Sequence, residues 1–424
     1  MIIGKKDRKR LKELEEKVEA LTARTVQNAD QAPTRGWEYL QELGQSFATA
    51  SGKIVTPETA MKASVVFACT RILSEAMAGL PIHIYKRTEN DSRELAPKSA
   101  ANGLWWLLNE SPSPLLTAAS WREWMVRDAL LYGDGISIIG RKGPYINEII
   151  PVPRQNVIIE RKGNRLRYYV STEEGFFGFD QDDVLHFPGF GFNGVHGMSV
   201  ISYAARQAIG ISLSAEEFAG RFFANGATPG FSIEVPGAIS EAQADQLRAE
   251  WRKRYSGGDN AHLPLVLAHG AKATQLSLNA EDAQLLQTRM FQVVDICRAF
   301  GVPPFMIGET DKTTAWGTGI EHMGLGFVRY SLKGWRSRME QEMNRKFWPR
   351  SMVYFVEHDM DALMSGDSQA EANYFRNALG GAQGPGWMSQ NEVRRRKYLP
   401  PVPNGDRVFS PEAEVQEGDM NEQT

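Results

Sequence analysis

The sequence predicts an α+β fold built with long helices. Residues 82–188 carry short apolar–polar alternations, "PIHIYKR" and "LRYYVS" among them, separated by glycine turns as half-buried strands are. Further along the chain, helical periodicity runs well beyond the usual length, over 199–225 and again over 320–348. At 424 residues the chain exceeds what one hydrophobic core ordinarily serves, so several units are expected.

Residues 1–35 form a charged arm. Within it Leu11, Leu14, Val18 and Leu21 repeat at 3-4-3 spacing, a seam too short for a stable coiled coil alone. Residues 28–58 read as a linker with an aromatic anchor around 37–43. "AMKASVVFACTRILSEAMAGL" reads as a buried helix stopped by Gly79 and Pro81. "GLWWLLNE" is a short helix, and the next helix is capped near Thr117. "GISIIGRKG", "INEIIPVP", "NVIIERKGN" and "LRYYVS" are strands, and "GFFGFDQDDVLHFPGF" completes the region.

Ser199 is placed to cap the first long helix, and Gly226 to stop it. Ala204, Ala205, Ala208, Gly210, Ser212, Ser214 and Ala215 give it a small-residue surface suited to close helix packing, between subunits for instance. Residues 227–281 read as a compact insert with strands "FSIEVPG" and "LPLVLAHG" around a helix opened by a Ser240/Gln243 capping box. A return helix ends at Gly301. The second long helix carries Met323, Phe327, Tyr330, Trp335, Met339, Met343 and Phe347 at helical spacing, would span roughly 43 Å, and ends before Pro349. A strand, "SMVYFVEHD", two further helices and an acidic tail follow.

The chain is 42% hydrophobic and 23% charged, the balance of a water-soluble globular protein. Its net charge of −3 leaves room only for local or weak contact with nucleic acid. Cys69 and Cys297 sit in apolar helical contexts and read as buried free thiols of a reducing compartment. No run is long enough to span a bilayer, and the basic start lacks the apolar stretch of a secretory signal.

Residues 189–194 spell G-x-G-x-x-G through Gly189, Gly191 and Gly194. A dinucleotide site needs a second parallel strand ending in an acidic residue about 20 positions on. Glu216 and Glu217 stand at that distance but within the helical run, and bulky Phe190 and Phe192 occupy the loop. A glycine turn that launches a helix fits better; a nucleotide-binding enzyme is the alternative. The seven histidines (His83, His186, His196, His262, His269, His322, His358) form no H-E-x-x-H motif, so neither metal nor cofactor is expected. There is no G-x-S-x-G elbow or Walker loop, and no enzyme is expected, although distant residues can still converge. Arg394, Arg395, Arg396 and Lys397 form a basic run that reads as a solvated helix face or, alternatively, as a DNA-binding patch. Residues 412–424 hold five acids and no base, a tail able to screen that run.

Several blocks, in order, resemble the portal proteins of tailed double-stranded DNA phages of the long-tailed siphovirus type. They are "ASVVFACTRILSEAMAGLPIHIYKR", "LLNESPSPLLTAASWREWMVRDALLYGDG", "GMSVISYAARQAIGISLSAEEFAGRFFANGATPGFSIEVPG", "AHLPLVLAHGAKATQLSLNAEDAQLLQTRMFQVVDICRAFGVPPFMIGE" and "NEVRRRKYLPPVPNGD", spanning roughly residues 59–406. In "LLYGDG", Gly133-Asp134 departs from the Gly-Asn that often fills this structural turn in the family.

The resemblance implies a ring, usually of twelve copies, at one capsid vertex of the virion and assembled in the host cytoplasm. A terminase motor pumps DNA in through its channel, and the DNA later leaves that way. It implies a wing at 36–198, stem helices at 199–226 and 282–300, and a clip at 227–281. A return segment and tunnel loop would fill 301–319, a wing helix and strand 320–366, a crown 367–410 and a tail 411–424. Lys312, Thr313, Thr314 and Trp316 would line the DNA channel. Trp251, Arg252 and Arg254 would dock the large terminase subunit and then the head–tail adaptor. Arg394, Arg395, Arg396 and Lys397 would offer phosphate contacts in the crown. The implied partners also include the major capsid protein or its scaffold, whose assembly the ring would initiate, and no membrane.

Overall fold

The computed structural model describes residues 49–410 except 89–91, 100–102, 173–174, 225–230, 235–239, 247–248, 250–271, 276–279, 310–322, 351–352, 361–367, 382–383 and 398. It falls into two compact units, Met1–His358 and Asp359–Thr424.

Among the described residues the first unit opens with α1 (Pro57–Ala60), held by a reciprocal Thr56/Thr59 capping box, and α2 (Ser64–Ala78), which ends at Gly79. Strands β1 (Ile82–Arg87) and β2 (Arg93–Leu95) follow, then α3 (Leu104–Asn109) and α4 (Ala118–Tyr132). Thr117 caps α4 by accepting from the Ser120 amide at 3.2 Å. Arg122 of α4 is buried and donates to the end carbonyls of two neighbours, Ala78 at 2.7 Å and Leu108 at 2.5 Å. One guanidinium thereby serves two helix C-termini, where orphan carbonyls attract a cation. Burial lowers its pKa to about 10, so it remains charged.

Next come β3 (Asp134–Lys142), β4 (Tyr145–Val152), β5 (Val157–Lys162), β6 (Arg165–Thr172), β7 (Gly175–Asp180) and β8 (Val184–Pro188). They build two three-stranded antiparallel sheets, ordered β4-β3-β8 and β5-β6-β7. Ile136, Val152, Val157, Ile159, Tyr168, Val170 and Val184 pack into one core drawn from both. α4 lies against β3, where Trp121 Nε1 donates to Ser137 Oγ at 2.9 Å.

The first long helix begins with a π-turn, Ile201–Ala205, and continues as α5 (Arg206–Ala224). Ser199 caps it as expected, accepting from the Ser202 amide at 3.1 Å. Ala205, Ala208, Gly210, Ser212 and Ala215 are buried within the subunit. Most of the small-residue face thus admits the subunit's own neighbours, which corrects its reading as a contact between subunits; Ala204 alone is exposed. Residues 49–56 are likewise docked rather than a free linker. Thr49 is buried, the Ala50 amide donates to Gln207 Oε1 at 3.0 Å, and Lys53 pairs with Glu217 of α5.

The insert shows β9 (Phe231–Glu234) paired antiparallel with β10 (Lys272–Gln275), and the Ser240/Gln243 box opens a helical stretch at 241–246. "LPLVLAHG" lies outside the described residues. Helix α6 (Ala280–Phe300) returns along α5 and touches α2. There Cys69 and Cys297, both buried free thiols, lie with their sulfurs 3.8 Å apart.

The second long helix is not α-helical throughout. Residues 323–326 are α-helical, Phe327–Leu332 forms a π-turn, and α7 (Lys333–Phe347) follows. The wider turn shifts the buried stripe: Phe327 is followed by Leu332, then Trp335, Met339, Met343 and Phe347, while Tyr330 is 79% exposed. Strand β11 (Tyr354–His358) closes a third sheet, β11-β1-β2.

The second unit holds α8 (Ser368–Leu379) and α9 (Gln390–Arg396). Ser389 and Glu392 make a full capping box on α9. Asn391 ties down the following segment, exchanging bonds of 2.8 and 3.0 Å with the Val402 backbone.

Candidate functional site

The loop that carries the G-x-G-x-x-G leaves β8 and enters the first long helix. Strand β8 pairs antiparallel with β3, Ile136 opposite His186. A dinucleotide site needs a parallel crossover here, and every named strand pairing among the described residues is antiparallel. The glycines serve the turn itself. Gly191 and Gly194 have φ of 69° and 96°, left-handed backbone that glycine adopts without strain. Gly189, Gly133 and Gly197 meet backbone to backbone, with the Gly189 amide 2.7 Å from the Gly133 carbonyl. A Cβ on Gly197 would stand 2.4 Å from both Gly133 O and Gly189 N. Asn193 Oδ1 accepts the Val195 and His196 amides at 2.9 and 2.8 Å, completing the redirection.

Under this loop lies a buried polar network centred on Asp134. One carboxylate oxygen takes His186 Nε2 and the Gly197 amide, each at 2.8 Å. The other takes Arg154 Nε at 3.1 Å. Arg154 is 0% exposed; it also donates to Val157 O at 2.7 Å and to His196 Nδ1 at 3.2 Å. Tyr168 Oη donates to His186 Nδ1 at 3.0 Å. These bonds assign His186 the tautomer with its proton on Nε2. Burial alone raises the Asp134 carboxyl, but His186, His196 and Arg154 together hold it well below the usual carboxylate range. Burial, aided by Arg154, lowers His196 against the pull of Asp134.

Chemically the network is an ionic clamp. Both ring nitrogens of His186 are engaged, so it offers no free base. It joins the start of β3, the turn before β5, strand β8 and the loop at Gly197, fixing where the long helix departs. Glu342 of α7 adds a further tie, accepting the His186 amide at 3.3 Å. The sequence left the histidines scattered, yet His186 and His196 converge on one carboxylate. The only local signal was the departure at Gly133-Asp134, and that turn is more than a turn, because its carboxylate is the hub.

Of the residues singled out by sequence, Trp251, Arg252, Arg254, Lys312, Thr313, Thr314 and Trp316 lie outside the described residues. The basic run lies on and just after α9. Arg394 Nε donates to Pro400 O at 2.7 Å, Arg396 reaches Tyr374 Oη at 3.3 Å, and Lys397 lies 5.6 Å from the Phe375 ring centre. Arg395 stands 3.9 Å from Asp406. Arg395, Arg396 and Lys397 stay exposed, as on a solvated helix face, while making these contacts within the second unit. Among the described residues no His, Cys, Asp and Glu cluster could hold a metal ion, and no helix is long and apolar enough to cross a membrane.

Residues 64–397 match the family described as phage portal protein. The chain belongs to that family. It is 32% identical over 357 residues to the portal protein of Enterobacteria phage HK97, covering 83% of this chain and 82% of that one. It is 33% identical over 394 residues to the probable portal protein of Streptomyces phage phiC31, covering 89% and 83%. Among solved structures, a chain in the neck of a native gene transfer agent particle, computed with C12 symmetry, superposes with a TM-score of 0.56 at 19% identity, covering 87% of this chain and 100% of that one. The crystal structure of an HK97 family phage portal protein from Corynebacterium diphtheriae gives 0.51 at 16% identity, covering 76% and 99%. At those identities the likeness is one of fold, and the α+β portal fold is the one the sequence led to expect.

Proposed function

We propose that this chain is the subunit of a portal ring at one capsid vertex of a virion. Through its channel a terminase motor packages the viral DNA, and the DNA later leaves. The reading rests on family membership across residues 64–397, supported by the fold likeness to a neck chain treated with C12 symmetry. Twelve heterologous contacts that close under rotation make such a ring. On this reading the chain has no catalysis of its own. Residues 36–198 serve as wing, 199–226 and 282–300 as stem, 227–281 as clip and 367–410 as crown. Trp251, Arg252 and Arg254 dock terminase and then the head–tail adaptor, and the ring initiates assembly of the capsid protein.

Lys312, Thr313, Thr314 and Trp316 face the DNA. Duplex DNA carries about one charge per ~1.7 Å, and a strongly basic wall would hold it fast. A net charge of −3 suits passage instead. The test is native mass with negative-stain images of the same peak. A mass near twelve times 47.4 kDa and annular particles are expected. A stable monomer that stays single when capsid protein is supplied overturns the reading.

A further inference from the structure

A cavity of about 510 Å³ opens between the β5–β6 hairpin, the loop after β8 and helix α7. Four guanidinium groups line it, Arg161, Arg165, Arg338 and Arg345, against one carboxylate, Glu342. Two of the four are committed. Arg165 pairs with Asp180 and, at 2.6 Å, with Asp182. Arg345 holds Glu342 at 2.6 Å.

The other two are not. Arg161 gives Nε to its own turn, at Gly163 O, 3.1 Å away. Arg338 lies 4.4 Å from the centre of the Trp335 ring, and its Nε is buried without a hydrogen-bond partner. Among the described residues neither has a carboxylate within 4.0 Å. Burial lowers the Arg338 guanidinium, and no counter-charge offsets it. A desolvated cation and an orphaned buried donor each cost free energy until an anion fills the site.

Charge and shape choose the ligand. A guanidinium fork matches two oxygens of one anion. A carboxylate suits a single fork, whereas a phosphate presents oxygens to two forks at once. The volume falls within the ~300–1,000 Å³ of ligand sites, more than a lone ion needs. Phe192, 45% exposed and edge-on to His186 at 5.6 Å, adds an apolar wall for whatever carries the phosphate. We propose that this cavity is a phosphate-binding site, with Arg161 and Arg338 as its two-sided clamp. The phosphate belongs either to a free phosphate chain or to a nucleic-acid backbone; the chemistry of capture is the same. The site does not depend on the ring reading.

The test is a thermal-unfolding titration of the full-length protein at fixed ionic strength, with inorganic pyrophosphate in one arm and a short DNA duplex in the other. Either ligand should raise the melting temperature by about 2 °C or more at saturation. R161A and R338Q should each weaken that binding by about tenfold or more, the loss of one charge-assisted contact. Arg161 is exposed on a hairpin, so R161A keeps the fold even if R338Q does not. K62A, at an exposed lysine away from the cavity, should bind as wild type does. A response to pyrophosphate that R161A weakens assigns a free phosphate chain, and a variant-sensitive response to duplex alone assigns the backbone. No shift with either probe, or a shift that R161A leaves unchanged, overturns the proposal.

Discussion

Asp134 carries a large single-residue consequence. Replacing it with alanine would leave Arg154, 0% exposed, without its carboxylate. Breaking one side of a buried ion pair costs about 3–5 kcal/mol, so Asp134→Ala should lower the denaturation midpoint sharply. Asp134→Asn keeps the shape and should cost less. The histidines set an acid limit. Burial lowers both His196 and His358 below their ordinary 6.5, so the unfolded chain binds protons that the folded chain refuses. Stability is then full above the unfolded value and falls as pH drops below it, by up to about 1.4 kcal/mol per pH unit for each group. The Asp134 carboxyl works lower, its contribution fading only as pH falls through its ordinary 3.8 and beyond. A melting series from about pH 7 to about pH 5 should show the histidine loss, and His358→Gln should flatten it. At the thiols, a maleimide should label neither Cys69 nor Cys297 until the protein unfolds, because both are buried.

Among the elements, the junction into the first long helix leaves no room for a side chain at Gly197. An alanine Cβ at Gly197 would meet fixed backbone at 2.4 Å, and neither atom can yield. Gly197→Ala should cost more than about 3 kcal/mol by displacing the loop. Gly194 also has positive φ, yet nothing lies within 4 Å of its missing Cβ. Gly194→Ala should cost about 1 kcal/mol in backbone strain alone. Unfolding of the two variants side by side checks the contrast. The caps at Thr117, Ser199 and Ser240 were legible because each acts within three residues. The π-turns were not. Helical spacing carries the second stripe through Tyr330, whereas the π-turn lies against α2 and buries Leu332 instead.

For the whole molecule, exposed aromatic surface on the long helices bears on assembly. Tyr203 is 72% exposed, Phe291 60% and Phe218 52%. On the ring reading a neighbouring copy covers such surface, as apolar patches of this kind mark interfaces. Phe291→Asp should shift native mass toward the single subunit while its circular dichroism stays unchanged. On the same reading, Trp316→Ala should alter DNA packaging or retention in infected cells without unfolding the ring; unchanged packaged length would count against a channel role for Trp316.

By itself the sequence determined the α+β class, most helices and strands, their caps and the family. Those rest on periodicity, caps and turn glycines, which act over a few residues, and on an ordered set of blocks along the chain. The tertiary structure alone decided that residues 134, 154, 168, 186 and 196 share one buried network. It alone decided that the small-residue helix face turns inward, that Cys69 meets Cys297, and that Arg161 and Arg338 face one cavity. Each of these joins residues far apart in the chain. Strand register and helix phase set such meetings, and a shift of one residue would undo them.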